Sequence, residues 1–104
     1  PINLGTLSIT KAMANEFGKD GITVNAICPG STHTGRWTEL VSVHARDRGI
    51  SEKEAERHLV ADVPMGRVVK PEDVADLAVF LASARAGMIT GCAVNVDGGR
   101  TRGI

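Results

Sequence analysis

Residues 22–30 read Ile22-Thr23-Val24-Asn25-Ala26-Ile27-Cys28-Pro29-Gly30, and the fold turns on how this stretch is read. It is short, β-branched and apolar on both parities, the pattern of a strand over 22–28 buried on both faces of a parallel sheet. Pro29-Gly30 stops it abruptly. Upstream, Ile9, Ala12, Met13 and Phe17 recur at helical steps, which predicts a helix over 3–18 ending at Gly18. Downstream, Pro71-Glu72-Asp73 supplies the proline and acids that a first helical turn favours. Val74, Leu77, Ala78 and Leu81 then form an apolar stripe, so a helix is expected over 71–84. After Thr90-Gly91 comes a second strand, expected over 92–96 and closed by Asp97-Gly98-Gly99. Strands separated by a helix in this order specify an α/β protein with a parallel pair.

Two parallel strands do not make a self-sufficient sheet, because each wants neighbours beside it and cover on both faces. The chain therefore reads as the tail of a larger α/β sheet whose other strands lie N-terminal. Between the two strands, from His33 to Asp62, the character changes: all three histidines, the single Trp and a dense mix of charges fall here. Ser51 followed by Glu54 is a capping-box signature opening a helix through about Ala61. Two short, largely exposed helices broken at Gly49 are expected.

Composition excludes several classes. With 12 Lys+Arg against 12 Asp+Glu in 104 residues, the chain lacks the basic surplus that nucleic acid or an anionic membrane selects. No apolar run approaches the roughly 18 residues of a spanning helix. Two cysteines are too few for a disulfide scaffold. Cys28 and Cys92 fall at opposite ends of neighbouring parallel strands, too far apart to bridge, and read as two buried thiols. A soluble, cytoplasmic protein is the expectation. His33, His44 and His58 match no compact ligand spacing, so no metal site is expected.

In open α/β sheets ligands sit outside the carboxyl ends of the strands. Here that end is Cys28-Pro29-Gly30-Ser31-Thr32-His33-Thr34. Gly30 admits close backbone approach, and the hydroxyls and main-chain N–H groups that follow suit amide or phosphate oxygens. Spacing alone equally suits a plain Pro-Gly turn with Thr34 as a helix N-cap. Trp37 either gates a substrate or fastens the segment to the core. Arg100 and Arg102 form a small basic tail, which either binds a carboxylate at a subunit interface or, left free, is a frayed end.

The ensemble resembles one family. Val24-Asn25-Ala26-Ile27-Cys28-Pro29-Gly30 followed by Thr34 is similar to the N-x-x-x-P-G-x-x-x-T stretch of short-chain dehydrogenases/reductases. Pro64-Met65-Gly66-Arg67, Pro71-Glu72-Asp73-Val74-Ala75, Phe80-Leu81-Ala82-Ser83, Ile89-Thr90-Gly91 and Val96-Asp97-Gly98-Gly99 resemble that family's tail in order and spacing. The resemblance implies the C-terminal part of a Rossmann-type doubly wound parallel sheet, its last two strands with flanking helices. It implies NAD or NADP as cofactor, with Pro29 and Gly30 against the nicotinamide ring, Thr32 bonding the carboxamide through its main chain, and Thr34 contacting carboxamide or phosphate. Residues 34–62 become a substrate lid, with His33 and Trp37 beside the substrate. The last helix and strand become a subunit interface of a homo-oligomer, a dimer or tetramer. The implied reaction is hydride transfer between nicotinamide and a small-molecule alcohol or ketone. No catalytic residue is expected within the chain: it has no Tyr, its only glycine cluster after a strand has no helix following, and the family's lysine position falls on Asn3. The chain alone is therefore expected to be inactive. An alternative is a non-catalytic relative that senses dinucleotide or serves assembly.

Overall fold

The computed structural model describes residues 4–102, so the expectation at Asn3 lies outside the described residues. Helix α1 (Leu4–Phe17) leads through a three-ten turn (Gly18–Asp20) to strand β1 (Ala26–Pro29). Helices α2 (Gly35–Arg48) and α3 (Glu52–Leu59) follow, then α4 (Pro71–Leu81), a three-ten turn (Ala84–Ala86) and strand β2 (Ala93–Val96). The strands pair parallel with Ala26 opposite Ala93 and Pro29 opposite Val96, and α1 and α4 both reach β1.

The strand expected from Ile22 pairs only from Ala26, and side chains explain why. The Val24 N–H donates to Thr90 Oγ1 at 2.9 Å, Asn25 Nδ2 donates to the Ile89 carbonyl at 3.0 Å, and Asn25 Oδ1 accepts from the Cys92 N–H at 3.1 Å. These bonds take the place of the first ladder rungs. The helix expected over 71–84 ends at Leu81, with Ser83 Oγ donating back to the Phe80 carbonyl. Its start matches the sequence signal: Pro71 opens it, and Asp73 accepts from the Lys70 N–H at 2.9 Å. That bond, aided by Arg67, holds the Asp73 carboxyl below its ordinary value.

Two differences concern the core. The stripe Ile9, Met13 and Phe17 does not form the buried face of α1; Thr10 and Ala14 do, while Ile9 is 61% exposed and Met13 42%. Thr10 is satisfied there by donating to the Thr6 carbonyl. Phe17, at the end of the stripe, is half-buried, while Ile9 and Met13 face outward with nothing in the described residues to cover them. The helices of 34–62 are largely exposed, as expected, but each buries one narrow face that the sequence did not reveal. Trp37, Val41 and Ala45 of α2 bury against Ala55 of α3, with Ile50, Leu59, Val60 and Val68 around them. Gly49, at φ 65°, turns the chain between the helices, and Ser51 Oγ caps α3 by accepting from the Glu54 N–H.

The chain is elongated, 57 × 25 × 22 Å, with a radius of gyration of 17.0 Å against about 13 Å for a compact domain of this length. It exposes 7459 Å², where a self-contained protein of its mass exposes about 5,600 Å². The surplus is the uncovered sheet layer and its helices: Leu4, Ile9 and Met13 on α1, and Val79 and Phe80 on α4, stand in solvent.

Candidate functional site

The carboxyl end of β1 is held by its neighbours on two sides. The Gly30 N–H donates to the Val96 carbonyl at 2.9 Å, continuing the sheet. One residue on, Thr32 bridges to Val69 in parallel: the Val69 N–H donates to the Ser31 carbonyl at 2.8 Å and the His33 N–H to the Val69 carbonyl at 2.7 Å. A parallel bridge of this kind uses the groups on either side of Thr32. The main-chain N–H and C=O of Thr32 itself have no partner among the described residues. Its hydroxyl turns inward to the Gly30 carbonyl at 3.0 Å.

Thr34 occupies the N-cap position of α2 with extended backbone, but its hydroxyl makes no capping bond. The first N–H groups of α2 therefore remain open at the same end. Ser31, Thr32, Thr34, Arg36, Trp37 and Leu40 together line a cleft of about 380 Å³. Three of the residues singled out in the sequence thus meet: Thr32, Thr34 and Trp37 line one cleft, and the Thr32 hydroxyl ties it to the Gly30 carbonyl. Pro29 lines a second cavity on the β2 side, together with Gly30 and Ser31. His33 lines a neighbouring cavity with Lys53, Arg57 and Arg67, and Trp37 lines that one as well.

Gly30 is needed for a reason the sequence did not show. A Cβ there would stand 2.9 Å from the Asp97 Cβ and 3.1 Å from the Asp97 Cα, so the close approach is to the end of β2. Asp97 in turn organises the next turn, with Oδ1 accepting from the Gly99 N–H and Oδ2 from the Thr101 N–H, both at 3.0 Å. Gly98 and Gly99 lie in the left-handed region and pack on Val63 and Pro64, where the chain leaves the helical pair. The turn after β1, the exit from the helical pair and the turn after β2 form one interlocked unit. Asp97, Val69 and Arg100 are its members that sequence reading did not place at the turn after β1. Their partners across the unit are 36 to 69 residues away along the chain, beyond any local pattern, although Asp-Gly-Gly itself marks a turn.

Hydrogen bonds from Thr101, hydroxyl first, and from the main chain of Gly99 and Arg100 hold the Asp97 carboxyl below its ordinary value, outweighing its partial desolvation. A depressed folded-state value means stability that is present above the unfolded value and lost as pH falls through the folded one. Asp97→Asn is therefore expected to lower stability at neutral pH, and the difference from the parent is expected to vanish in acid. Denaturant titrations across the carboxylate range read this directly.

The thiols differ from expectation as well. Both cysteines are free, Cys28 half-buried but Cys92 exposed, because β2 has nothing against its outer face among the described residues. Among those residues no cluster of three or more His, Cys, Asp or Glu could hold a metal ion, and no helix is long and apolar enough to cross a membrane.

Comparison with known proteins gives these features a setting. Residues 3–101 match the sequence profile of a family described as enoyl-(acyl carrier protein) reductase. The acetoacetyl-CoA reductase of Shinella zoogloeoides is 44% identical over 92% of the chain, which spans only 36% of that enzyme's length. The structure superposes on L-sorbose reductase from Gluconobacter frateurii, solved with NADPH and L-sorbose, with a TM-score of 0.83 and 33% identity, over 94% of this chain and 38% of that one. It also superposes on 3-ketoacyl-(acyl-carrier-protein) reductase from Brucella melitensis, solved with NADH, with a TM-score of 0.68 and 38% identity, over 91% and 33%. From the interlocked strand-end turns to the sequence profile, the observations agree: the chain belongs to the short-chain dehydrogenase/reductase family, as a C-terminal portion of its Rossmann-type domain.

Proposed function

We propose that the chain is the nicotinamide-side and lid-bearing part of an NAD(P)-dependent oxidoreductase acting on an alcohol or ketone. The observation that carries this reading is the main-chain N–H and C=O of Thr32, which have no partner among the described residues. A primary carboxamide offers one acceptor and two donors, and a fixed N–H and C=O on one residue match both functions of that group. The Val69 bridge holds the pair in place before any ligand arrives, which lowers the ordering cost of binding. Thr34, with its hydroxyl and the open N-terminus of α2, suits a further carboxamide or phosphate oxygen. Pro29 and Gly30 shape the floor of the turn. A bound reduced nicotinamide would supply the hydride; the residues here orient its ring and exclude water beside it.

Helices α2 and α3 act in this reading as the substrate lid, with Trp37 as the anchor that ties α2 to α3 and Leu40 facing the cleft. The exposed apolar face of α4 and the outer edge of β2 serve as a subunit interface of a homo-oligomer. The proton donor comes from outside the chain, which contains no Tyr. The alternative, a non-catalytic relative, rests on Asn3, which lies outside the described residues.

The test is oxidation of NADH or NADPH by a panel of small ketones. The intact protein is expected to turn over, and the 104-residue chain by itself is not. Clear turnover by the isolated chain would overturn the division of labour proposed here, and absence of turnover by the intact protein would favour the non-catalytic relative.

A further inference from the structure

The turn after β1 has a second side. At the carboxyl ends of both strands, Pro29, Gly30 and Ser31 face Arg100 and Arg102 across a cavity of about 420 Å³. The basic tail is not a frayed end. The Arg100 N–H is bound to the Asp97 carbonyl, its Nε donates to Asp62 Oδ2 at 2.9 Å, and its Nη1 lies 3.5 Å from Ser31 Oγ. Those contacts place the guanidinium between the lid exit and the strand end. They engage Nε and Nη1, and a guanidinium carries five N–H donors, so Nη2 is left without a partner among the described residues. Arg102 makes no hydrogen bond or ion pair with the described residues.

Asp97 also lines the cavity and keeps its negative charge, but both its oxygens accept from main-chain N–H groups of its own turn and neither arginine is paired with it. Asp62 pairs with Arg100 from outside the cavity lining, and Arg102 has no ion-pair partner among the described residues. Ser31 lines both this cavity and the cleft beside Thr32, so a group seated here is one residue from the proposed nicotinamide position.

We propose that this cavity takes the acid group of the substrate, so that the substrate class is an oxo acid and its hydroxy acid rather than a neutral ketone. The inference rests on the oxidoreductase reading for the word substrate, but not for the binding itself. Two planar guanidinium groups and a hydroxyl at a strand end suit a carboxylate, which accepts paired N–H bonds.

The experiment is a titration of the intact protein, without dinucleotide, with acetoacetate and with its neutral methyl ester, followed by backbone amide shifts. Acetoacetate is expected to move the amides of Ser31 and residues 100–102, and to bind about tenfold more tightly than the ester, the scale of one charge-assisted hydrogen bond. Arg102→Gln, which breaks no pair in the fold, is expected to remove much of that preference, and Arg100→Gln with Arg102→Gln all of it. Equal binding of acid and ester, or an acid preference unchanged in Arg102→Gln and in the double variant, would overturn the proposal. ADP-ribose is the second arm: if it moves the amides of 100–102, the cavity belongs to a cofactor phosphate and the proposal fails. Failure of the oxidoreductase reading shows separately, as no turnover of NADH or NADPH with either carbonyl compound.

Discussion

Replacing Trp37 by alanine is expected to lower stability by about 3–5 kcal/mol, the cost of removing a buried aromatic from a core that cannot fully close over the gap. Trp37 is 6% exposed and packs with Val41, Ala45 and the fully buried Ala55. Val41, Ala45 and Ala55 are too small to fill the space, and Ile50, Leu59, Val60 and Val68, half-buried around them, can close it only in part. The loss would fall on the contact between α2 and α3, because the cluster is built from those two helices and the residues just beyond them. Far-ultraviolet circular dichroism should therefore show lost helix, and Trp37→Phe should restore much of it. The same variant separates the two roles that sequence alone left open. A gating residue would leave the denaturation midpoint nearly unchanged and alter substrate KM; an anchor moves the midpoint first.

Gly30→Ala is the second large effect. Its cause is steric, since Gly30 is not among the positive-φ glycines. The new methyl would sit 2.9 Å from the Asp97 Cβ and 3.1 Å from its Cα, and backbone atoms do not yield as a flexible side chain does. Overpacking of this kind costs about 1–3 kcal/mol. The strand ends must part at the bond from the Gly30 N–H to the Val96 carbonyl, and Ser31 and Thr32 move with them. On the proposed reading, dinucleotide affinity falls by about tenfold or more, because a shift of about 1 Å in a positioned group is costly. Gly35→Ala is the control: a Cβ there meets nothing within 4 Å, and neither stability nor binding should change much.

What the sequence made legible was local. Pro71 and Asp73 opened α4, Ser51 capped α3, Gly49 separated the two lid helices, and the apolar runs around Ile27 and Val94 became the parallel strands. Each of these signals acts within a turn or a strand's length. What was illegible depended on partners far along the chain. Strand β1 begins at Ala26 because Asn25 and Val24 are taken by Ile89, Thr90 and Cys92, which no reading of 22–28 contains. The buried side of α1 could not be read from periodicity, because Ile9 and Met13 form a good stripe with nothing in the described residues to cover it. The charge-rich stretch 34–62 looked solvated on average, yet α2 and α3 each turn a narrow face of Trp, Val and Ala toward the other. The candidate site divides in the same way. Thr32 and Thr34 were found from a short motif, whereas Val69, Asp97 and Arg100 reach the turn only through the fold.

The central claim is that Thr32 presents its main-chain N–H and C=O to a nicotinamide carboxamide. The most direct measurement is amide hydrogen exchange at Thr32 in the intact protein, with reduced dinucleotide and, separately, with ADP-ribose, which lacks the nicotinamide. The account predicts that the dinucleotide protects the Thr32 amide and ADP-ribose does not, while the His33 amide, already bonded to Val69, is slow to exchange in every state. A Thr32 amide that exchanges at the same rate with both ligands as without them would contradict it.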